Sequence, residues 1–150
     1  MNIGLLFGND AKGGTVVDIP VLNVQGATIT YGLPVALTNL AASVDGAQAV
    51  LPAAGVQRTF VGIALKTIPN NGVGVVRAYG LHNSVAVFAV GASATVAQDE
   101  ILGVGVAGSL GVNSTGLIGT RPGGFVVALA AIGAAINSPG GYTKGFVRAL

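Results

Sequence analysis

The feature that most constrains this chain is a two-residue alternation in the segment 60–90. Val61, Ile63 and Leu65 occupy every second position, and the residues between them are Gly and Ala. Successive side chains of a β-strand point to opposite faces, whereas a helical face repeats about every 3.6 residues. The segment therefore predicts strands, over residues 60–67, 73–79 and 84–90.

Turn-forming groups separate these three predicted strands. Pro-Asn-Asn-Gly occupies residues 69–72, and Gly-Leu-His-Asn occupies residues 80–83. Such short connections are typical of hairpins, so the pattern predicts a three-stranded antiparallel meander. The run 84–90 is apolar at consecutive positions, which predicts a strand covered on both faces.

Glycine supplies 25 of the 150 residues and is scattered among apolar residues. In a helix each Gly costs about 1 kcal/mol relative to Ala, whereas tight turns and bulges of β-proteins use it. We therefore expect an all-β fold, a single-domain antiparallel β-sandwich or barrel of short strands with Gly-rich turns and little or no helix. Residues 1–14 are interpreted as an N-terminal arm, and residues 15–150 as one β-rich domain.

The other segments fit the same fold class. Further strands are predicted over residues 15–23, 27–31, 33–38, 101–107, 109–112 and 145–150, and a strand followed by a loop over 125–136. Pro20 cannot donate a hydrogen bond to a ladder, so it favours an edge or a bulge. Residues 27–31 and 33–38 are expected to pair around Gly32. The Ala-rich segment 41–54 is interpreted as a loop in preference to a one-turn helix.

The segments that begin at Phe60 and Phe125 resemble each other. Phe-Val, Ala-Leu, a turn with Asn and Gly, and Val-Arg-Ala follow in the same order in both. Either the chain contains two similar hairpins, or the likeness reflects a sequence dominated by Val, Ala and Gly.

Charged residues are scarce, which bears on the surface of the protein. They make up 8% of the chain, against roughly 25% in a typical soluble domain, and apolar residues make up 51%. So few charges imply contiguous apolar patches, which mark interfaces on folded proteins. We expect a subunit of an oligomer or a larger shell; the alternative is a monomer with a surface of Ser, Thr, Asn, Gln and Gly. Leu5, Leu6 and Phe7 are candidate interface residues that pack either on the chain's own core or on a neighbour.

No segment predicts membrane insertion or secretion. The longest apolar segment, 125–136, is shorter than the roughly 20 residues of a spanning helix. Residues 1–7 lack the basic region and long apolar core of a signal peptide. The chain has no cysteine, which excludes disulfides, zinc-thiolate sites and thiol nucleophiles.

No motif indicates catalysis or a cofactor. The G-x-G-x-x-G pattern at 103–108 is not followed by the helix and acidic residue that dinucleotide binding requires. His82 is the only histidine; it lies in the predicted turn 80–83, where we expect it to be exposed, and no G-x-S-x-G elbow accompanies it. Five scattered carboxylates give no metal-ligand cluster, and Asp99-Glu100 is interpreted as a polar turn. We therefore expect no enzyme activity, cofactor or metal.

Arg121, Lys144 and Arg148 are the basic residues of the C-terminal third, which contains no acidic residue after Glu100. Nucleic-acid binding relies on many Lys and Arg on one face, and the formal net charge is only +2, which disfavours nucleic acid as a partner. We interpret these three candidate interface residues as contacts to an acidic neighbour or as solvated tips.

Several short motifs carry a resemblance to a known class of protein. They are ITYGLPV at 29–35, VGIAL at 61–65, GVVRAYG at 74–80 with VAV at 85–87, and DEIL at 99–102 with GSLGV at 108–112. Their order resembles that of the small β-rich decoration proteins, also called cement or head-stabilisation proteins, of tailed-bacteriophage capsids. Residues 41–54 and 124–141 do not fit the resemblance.

The resemblance implies a structural virion protein of the capsid surface, assembled in the host cytoplasm, that forms a homotrimer and binds the major capsid protein. Such a protein cements a shell by burying surface across weak joints, at about 25 cal/mol per Å² of apolar area. It requires no small-molecule substrate and no membrane. Two alternatives stay open: a phage tail or baseplate β-protein, and a carbohydrate-binding or enzymatic β-domain with a site lined by Tyr31, Tyr79 and Tyr142. The absence of Trp weakens sugar stacking in the second.

Overall fold

The computed structural model describes residues 6–9, 14–38, 47–53, 59–87, 95–104, 110–112, 125–132 and 141–149. Within these residues the chain forms ten strands and no helix: β1 (Leu6–Asn9), β2 (Thr15–Asn23), β3 (Pro34–Thr38), β4 (Gln48–Val50), β5 (Phe60–Ala64), β6 (Val73–Val87), β7 (Ile101–Val104), β8 (Leu110–Val112), β9 (Val126–Ala128) and β10 (Gly141–Arg148). The expected all-β class is confirmed.

The first half of the chain closes into a five-stranded barrel. Its strands follow one another around the barrel in the order β2, β4, β3, β5, β6, and β6 closes the ring by pairing with β2 from Val17↔Tyr79 to Leu22↔Val73. All neighbours in the barrel are antiparallel except β2 and β4, which are parallel. Strand β1 adds to β2 outside the barrel.

The second half of the chain forms a second five-stranded ring that shares β6 with the first. Its order is β6, β8, β7, β9, β10, and β10 returns to β6 along most of its length. The ring closes through one residue pair, Val87↔Leu110, which joins β6 and β8 in parallel. We refer to these two units as the first barrel and the second ring.

Each unit has its own apolar core. The core of the first barrel contains Ile19, Val21, Ile29, Val35, Ala49, Val61, Ala64, Ile68, Val76 and Ala78. The core of the second ring contains Phe60, Ile63, Val85, Val87, Val96, Leu102, Val104, Leu110, Val126, Ala128 and Val147. Strand β5 contributes to both cores, because Val61 and Ala64 belong to one and Phe60 and Ile63 to the other. All five of its residues are buried for this reason.

The two units have the same connectivity, strand for strand. Within each unit, the third strand along the chain lies between the first and the second, and the fourth and fifth follow in order around the ring. In both units the first and third strands are parallel, and all other neighbours are antiparallel. Strand β6 is the fifth strand of the first barrel and also the first strand of the second ring. The chain therefore repeats one five-stranded topology and uses a single long strand in both copies.

The backbone contacts repeat as well. Outside the strands, the bridge between Ile29 and Ile68 has its counterpart in the bridge between Val96 and Ile132. In the turn that follows each bridge, Gly32 N donates to Ala64 O at 2.9 Å, and Asp99 N donates to Ala128 O at 2.7 Å. Both turn residues have positive φ, 80° at Gly32 and 65° at Asp99. The predicted polar turn at Asp99-Glu100 is thus confirmed, and it occupies the same place as the turn at Gly32.

The sequence likeness between the segments at Phe60 and Phe125 reflects this repeat. Both segments form hairpins, β5 with β6 and β9 with β10. The structural match differs slightly from the sequence match, because the pairs Ile63↔Arg77 and Val127↔Phe146 occupy equivalent places. Arg77 therefore corresponds to Phe146, and not to Arg148 as the sequence likeness suggested.

The predicted turn at residues 80–83 is wrong. Strand β6 runs without interruption for 15 residues from Val73 to Val87, so the chain has one long strand where a hairpin was expected. Gly80 lies at φ 112°, and the pairing of β6 with β10 shifts register between Thr143 and Gly145. The turn-forming residues therefore serve to bend one strand as it passes from the first barrel to the second ring.

Three further predictions need correction. Residues 27–31 do not pair with 33–38, because Ile29 bridges Ile68 and β3 lies between β4 and β5. The segment 41–54 is not all loop, since Gln48–Val50 is β4. The last strand begins at Gly141, four residues before the predicted start.

Other strand predictions are confirmed within the described residues. Strands β7 and β8 form the expected antiparallel pair, and residues 126–128 form β9. Pro20 lies in a part of β2 that pairs with β6 alone, where a residue without an N–H is tolerated. A register shift also occurs in this pairing between Val17 and Asp18.

Candidate interaction surface

The outer face of β10 combines aromatic and basic side chains. Along this strand the odd-numbered residues from Thr143 to Val147 are buried, and Tyr142, Lys144 and Arg148 are exposed, with Phe146 partly buried between them. This alternation follows from the two-residue period of a strand whose inner face contacts the core of the second ring. Tyr79 of β6 completes the surface, because it lies opposite Arg148. We refer to Tyr79, Tyr142, Lys144, Phe146 and Arg148 as the β10 face.

The aromatic side chains of this face are fixed by contacts with each other and with the backbone. The rings of Tyr79 and Phe146 meet edge to face, with centroids 5.1 Å apart, a geometry favoured by the ring quadrupoles. Tyr142 is 48% exposed. Its Cε1 atom lies so close to Gly32 that a Cβ built on that glycine would be 3.3 Å away. The face is therefore a preformed surface and not a set of independent side chains.

The strand neighbours of the β10 face are apolar or aromatic where the structure gives their pairing. The residues opposite Tyr142, Phe146 and Arg148 on β6 are Ala86, Leu81 and Tyr79. On β9 the residue opposite Phe146 is Val127. Neither Lys144 nor Arg148 forms an ion pair with a carboxylate in the part of the chain that the structure describes.

On the equivalent face of the first barrel the cation, Arg77, is paired with a carboxylate of the same chain. Arg77 occupies the position that corresponds to Phe146, and it lies opposite Asp18 on β2. Its Nε donates to Asp18 Oδ1 at 2.8 Å and its Nη2 to Asp18 Oδ2 at 3.1 Å, while Nη1 donates to the Leu81 carbonyl. The first barrel thus neutralises its cation internally.

The rest of that face is aliphatic. Leu22 lies opposite Val73, and Pro20 lies opposite Val75. All four side chains point away from the core, and Val73 is 73% exposed. We refer to Pro20, Leu22, Val73 and Val75 as the aliphatic face. The two copies of one topology therefore present two chemically different surfaces.

Four of the six candidate interface residues belong to strands that the structure describes. Leu5 and Arg121 are outside the described residues. Leu6 and Phe7 belong to β1, whose backbone pairs with β2 of the same chain. Lys144 and Arg148 lie on one face of β10.

The three tyrosines named for a carbohydrate site have different surroundings in the structure. Tyr79 packs on Phe146, whereas the ring of Tyr31 lies 5.3 Å from that of His82. Tyr142 approaches Gly32, the residue after Tyr31.

His82 is buried, which corrects its expected exposure in a turn. The residue lies within β6 and is only 2% exposed. Ser84 N donates to Nδ1 at 3.1 Å, so Nδ1 carries no proton, and Nε2 donates to the Ala64 carbonyl at 3.2 Å. Desolvation by burial lowers the pKa of His82, and the nearby Arg77 lowers it further, against the opposing influence of the two hydrogen bonds and Asp18. His82 is therefore a neutral structural residue that ties β6 to the end of β5.

The buried imidazole leads to a pH-dependent stability. Because the pKa of His82 is lower in the folded protein than its ordinary value of 6.5, the unfolded chain takes up a proton first as pH falls. The contribution of the neutral His82 to the free energy of unfolding is fully present above about pH 6.5. It is lost progressively below that value, until the pH reaches the pKa of His82 in the folded protein. We expect urea midpoints measured between about pH 7 and pH 5 to fall more steeply for the wild type than for His82→Asn. Equal pH slopes for the two proteins would contradict this assignment.

Sequence reasoning missed the aromatic part of the β10 face. Tyr142, Lys144, Phe146 and Arg148 stand at every second position, which is the signal of one strand face. The prediction that the last strand begins at residue 145 leaves Tyr142 and Lys144 outside the strand, so it does not place the four side chains on one face.

The described residues hold no cluster of His, Cys, Asp or Glu that could bind a metal ion. They also contain no helix that is long and apolar enough to span a membrane. The sequence matches no protein family model and no curated protein sequence.

Proposed function

We propose that this chain is a structural virion protein that decorates and stabilises a bacteriophage capsid. In this proposal it self-associates, as a trimer, and binds the major capsid protein at the outer surface of the shell. The observation that carries the proposal is the exposed apolar surface of a protein with very few charges. The large exposed hydrophobic residues in the described part of the chain are Tyr31, Leu37, Val73, Ile101 and Tyr142. Val73 among them belongs to the contiguous aliphatic face, and contiguous apolar patches on folded proteins usually mark contacts with other proteins.

The rigid β-framework suits such a role. The two cores share β6, and within the described residues each unit closes into a ring, so the outer faces lie on a continuous hydrogen-bonded sheet. A cement protein acts by burying surface between subunits, and at about 25 cal/mol per Å² even small apolar patches add up when they recur over a shell. The aliphatic face is the best placed surface for self-association, because its four side chains form two directly opposed pairs on neighbouring strands.

The proposal predicts that a charge on the aliphatic face will disrupt self-association. We expect native mass spectrometry of the wild type to show an oligomer. Val73→Lys should raise its dissociation constant at least tenfold, because association would then bury the charged ammonium group of a lysine in place of an apolar side chain. Val73 is largely exposed in the single chain, so the change should leave folding intact. Gln98→Lys adds the same charge at another exposed position and should leave the oligomer unchanged.

Binding to the shell is tested separately. The protein is mixed with empty capsid shells assembled from the major capsid protein of the same genome, and the shells are sedimented and heated. Co-sedimentation and a higher disassembly temperature are expected for decorated shells. A wild-type protein that is monomeric at high concentration and does not sediment with shells would refute the proposal. Electron microscopy of labelled particles separates a capsid location from a tail or baseplate location, and binding on a glycan array would favour the carbohydrate-binding alternative.

A further inference from the structure

We infer that the β10 face is the docking surface for an acidic, extended segment of the partner protein. The inference deepens the proposed function, and it rests on that function for the identity of the partner as the major capsid protein. The chemistry of the segment, by contrast, follows from the face itself. Carboxylates of the segment reach Lys144 and Arg148, and an apolar side chain between them packs on Phe146.

The first argument is charge complementarity. Lys144 and Arg148 are exposed on one strand face and have no ion-pair partner among the described residues. The sequence supplies no Asp or Glu after Glu100, and the residues opposite this face on β6 and β9 are apolar or aromatic. The equivalent face of the first barrel provides an internal comparison, because its cation, Arg77, is already paired with Asp18. Among the described residues no carboxylate pairs with Lys144 or Arg148, and we therefore assign the complementary negative charge to another molecule.

The second argument is spacing. Lys144 and Arg148 are four residues apart on one strand, a separation of about 13 Å at roughly 3.3 Å per residue. Acidic side chains four residues apart in an extended segment have the same separation. Phe146 lies midway, held by its edge-to-face contact with Tyr79, and offers an apolar contact between the two charges. An extended protein segment with acidic residues at positions i and i+4 and an apolar residue at i+2 presents all three side chains on one face and matches this arrangement.

The face fits a protein better than a nucleic acid. Affinity for nucleic acid depends on many phosphate contacts, each made by a Lys or Arg, and this face has only two such residues. Aromatic side chains that bind single strands must offer an open ring face for stacking. Phe146 instead has a ring edge-to-face against Tyr79 and is partly buried.

The inference is tested first with a direct probe. A synthetic peptide that repeats Glu-Ser-Val-Ser, and so presents Glu and Val alternately on one face when extended, is titrated into the isotope-labelled wild-type protein and followed by NMR. We expect shifts at the amides of 142–148 and at Tyr79, and we expect them to be weakened at least tenfold by Lys144→Glu combined with Arg148→Glu and by a rise in salt concentration. Lys66→Glu reverses an exposed charge elsewhere and should bind the peptide as the wild type does. Absence of shifts at the β10 face in the wild type would overturn the inference.

The same variants are then tested on capsid shells. Loss of shell binding by the Lys144→Glu and Arg148→Glu double variant, with binding retained by Lys66→Glu, is the expected result. If the double variant binds shells as the wild type does, the inference fails and the proposed function stands. If the wild type binds the peptide but no shell, the proposed function fails and the acidic docking surface stands. Tighter binding of a single-stranded oligonucleotide than of the peptide would assign the face to nucleic acid and overturn the inference. Loss of the oligomer in the double variant would assign the face to self-association and also overturn it. Thermal unfolding of each variant shows that the exposed substitutions leave the fold intact.

Discussion

Replacing Asn23 by Asp is expected to destabilise the protein by about 3 kcal/mol or more, a large part of the roughly 5–15 kcal/mol that stabilises a typical domain. Asn23 is completely buried. Its Nδ2 donates to the carbonyls of Ala27 at 2.8 Å and Ile68 at 2.9 Å, with Pro69 O at 3.1 Å. A carboxylate at this position would place negative charge against these acceptors, with no donor to replace the lost amide hydrogens.

The stability that the Asn23→Asp variant loses is expected to increase with pH. Burial and the surrounding carbonyls favour the protonated form of the new carboxyl, so its pKa in the folded variant lies above that in the unfolded chain. The variant is therefore closest to the wild type at low pH, and it loses stability as pH rises through the folded pKa. Urea denaturation of both proteins at about pH 5 and pH 7 measures this difference.

Asn70→Asp is the matched control. Asn70 is exposed, and its Oδ1 accepts a hydrogen bond from Gly26 N at 3.1 Å. A carboxylate retains this acceptor, so we expect a change within about 0.5 kcal/mol. If Asn23→Asp and Asn70→Asp had equal effects, the donor role of the Asn23 amide would be disproved.

Replacing Gly62 by Ala is expected to cost about 3 kcal/mol or more and to prevent normal closure of the first barrel. Gly62 lies in the middle of β5 at φ 155°. A Cβ at this position would overlap the carbonyl oxygen of Arg77 and lie 2.7 Å from its carbon. Both contacts are with the backbone of β6, the strand shared by the two units, so rotation of a side chain cannot relieve them. The free energy of unfolding and the heat-denaturation midpoint measure the effect.

Gly26→Ala separates the backbone cost from the clash. Gly26 also has positive φ, 82°, but a Cβ there would meet no atom within 4 Å. Only the conformational cost of about 1 kcal/mol applies. Similar losses at the two glycines would show that close approach of β5 and β6 is not what requires Gly62.

The repeat of one topology explains why the two units can differ in their surfaces. Each copy has its own core, so outward side chains can change in one copy without disturbing the other. Asn23 illustrates the same independence in the interior. The equivalent end of the first strand in the second ring is Val87, since Asn23 pairs with Ala49 of β4 and Val87 with Leu110 of β8. The side-chain hydrogen bonds of Asn23 therefore have no counterpart at Val87 in the second ring.

Local patterns in the sequence were enough to predict most of the strands. The alternation around Val61, the turn at 69–72 and the Gly-rich hairpin of β7 and β8 depend on neighbours a few residues apart. Gly72 N indeed donates to Pro69 O at 2.9 Å, and Asn71 adopts φ 57° in this turn. The candidate surface was predicted in part, because Lys144 and Arg148 were singled out from their charge alone.

The errors arise where a residue's surroundings come from distant parts of the chain. Gly80 and His82 have the composition of a turn, but β2, β5 and β10 pack around them and hold β6 extended. The partner of Ile29 lies 39 positions away, at Ile68. Local propensity cannot compete with such contacts, since strand pairing and burial decide the conformation of short apolar segments.

The sequence alone determined that this protein is built from β-strands, has few charges for its surface and contains only one histidine and no cysteine. These properties follow from composition and from periodicity, which act over short distances along the chain. Only the tertiary structure decided that two rings share β6, that His82 is buried, and that Lys144 and Arg148 lie beside aromatic rings on one face. The physical reason is that ring closure and side-chain neighbours depend on pairing between strands far apart in sequence, which local patterns do not specify.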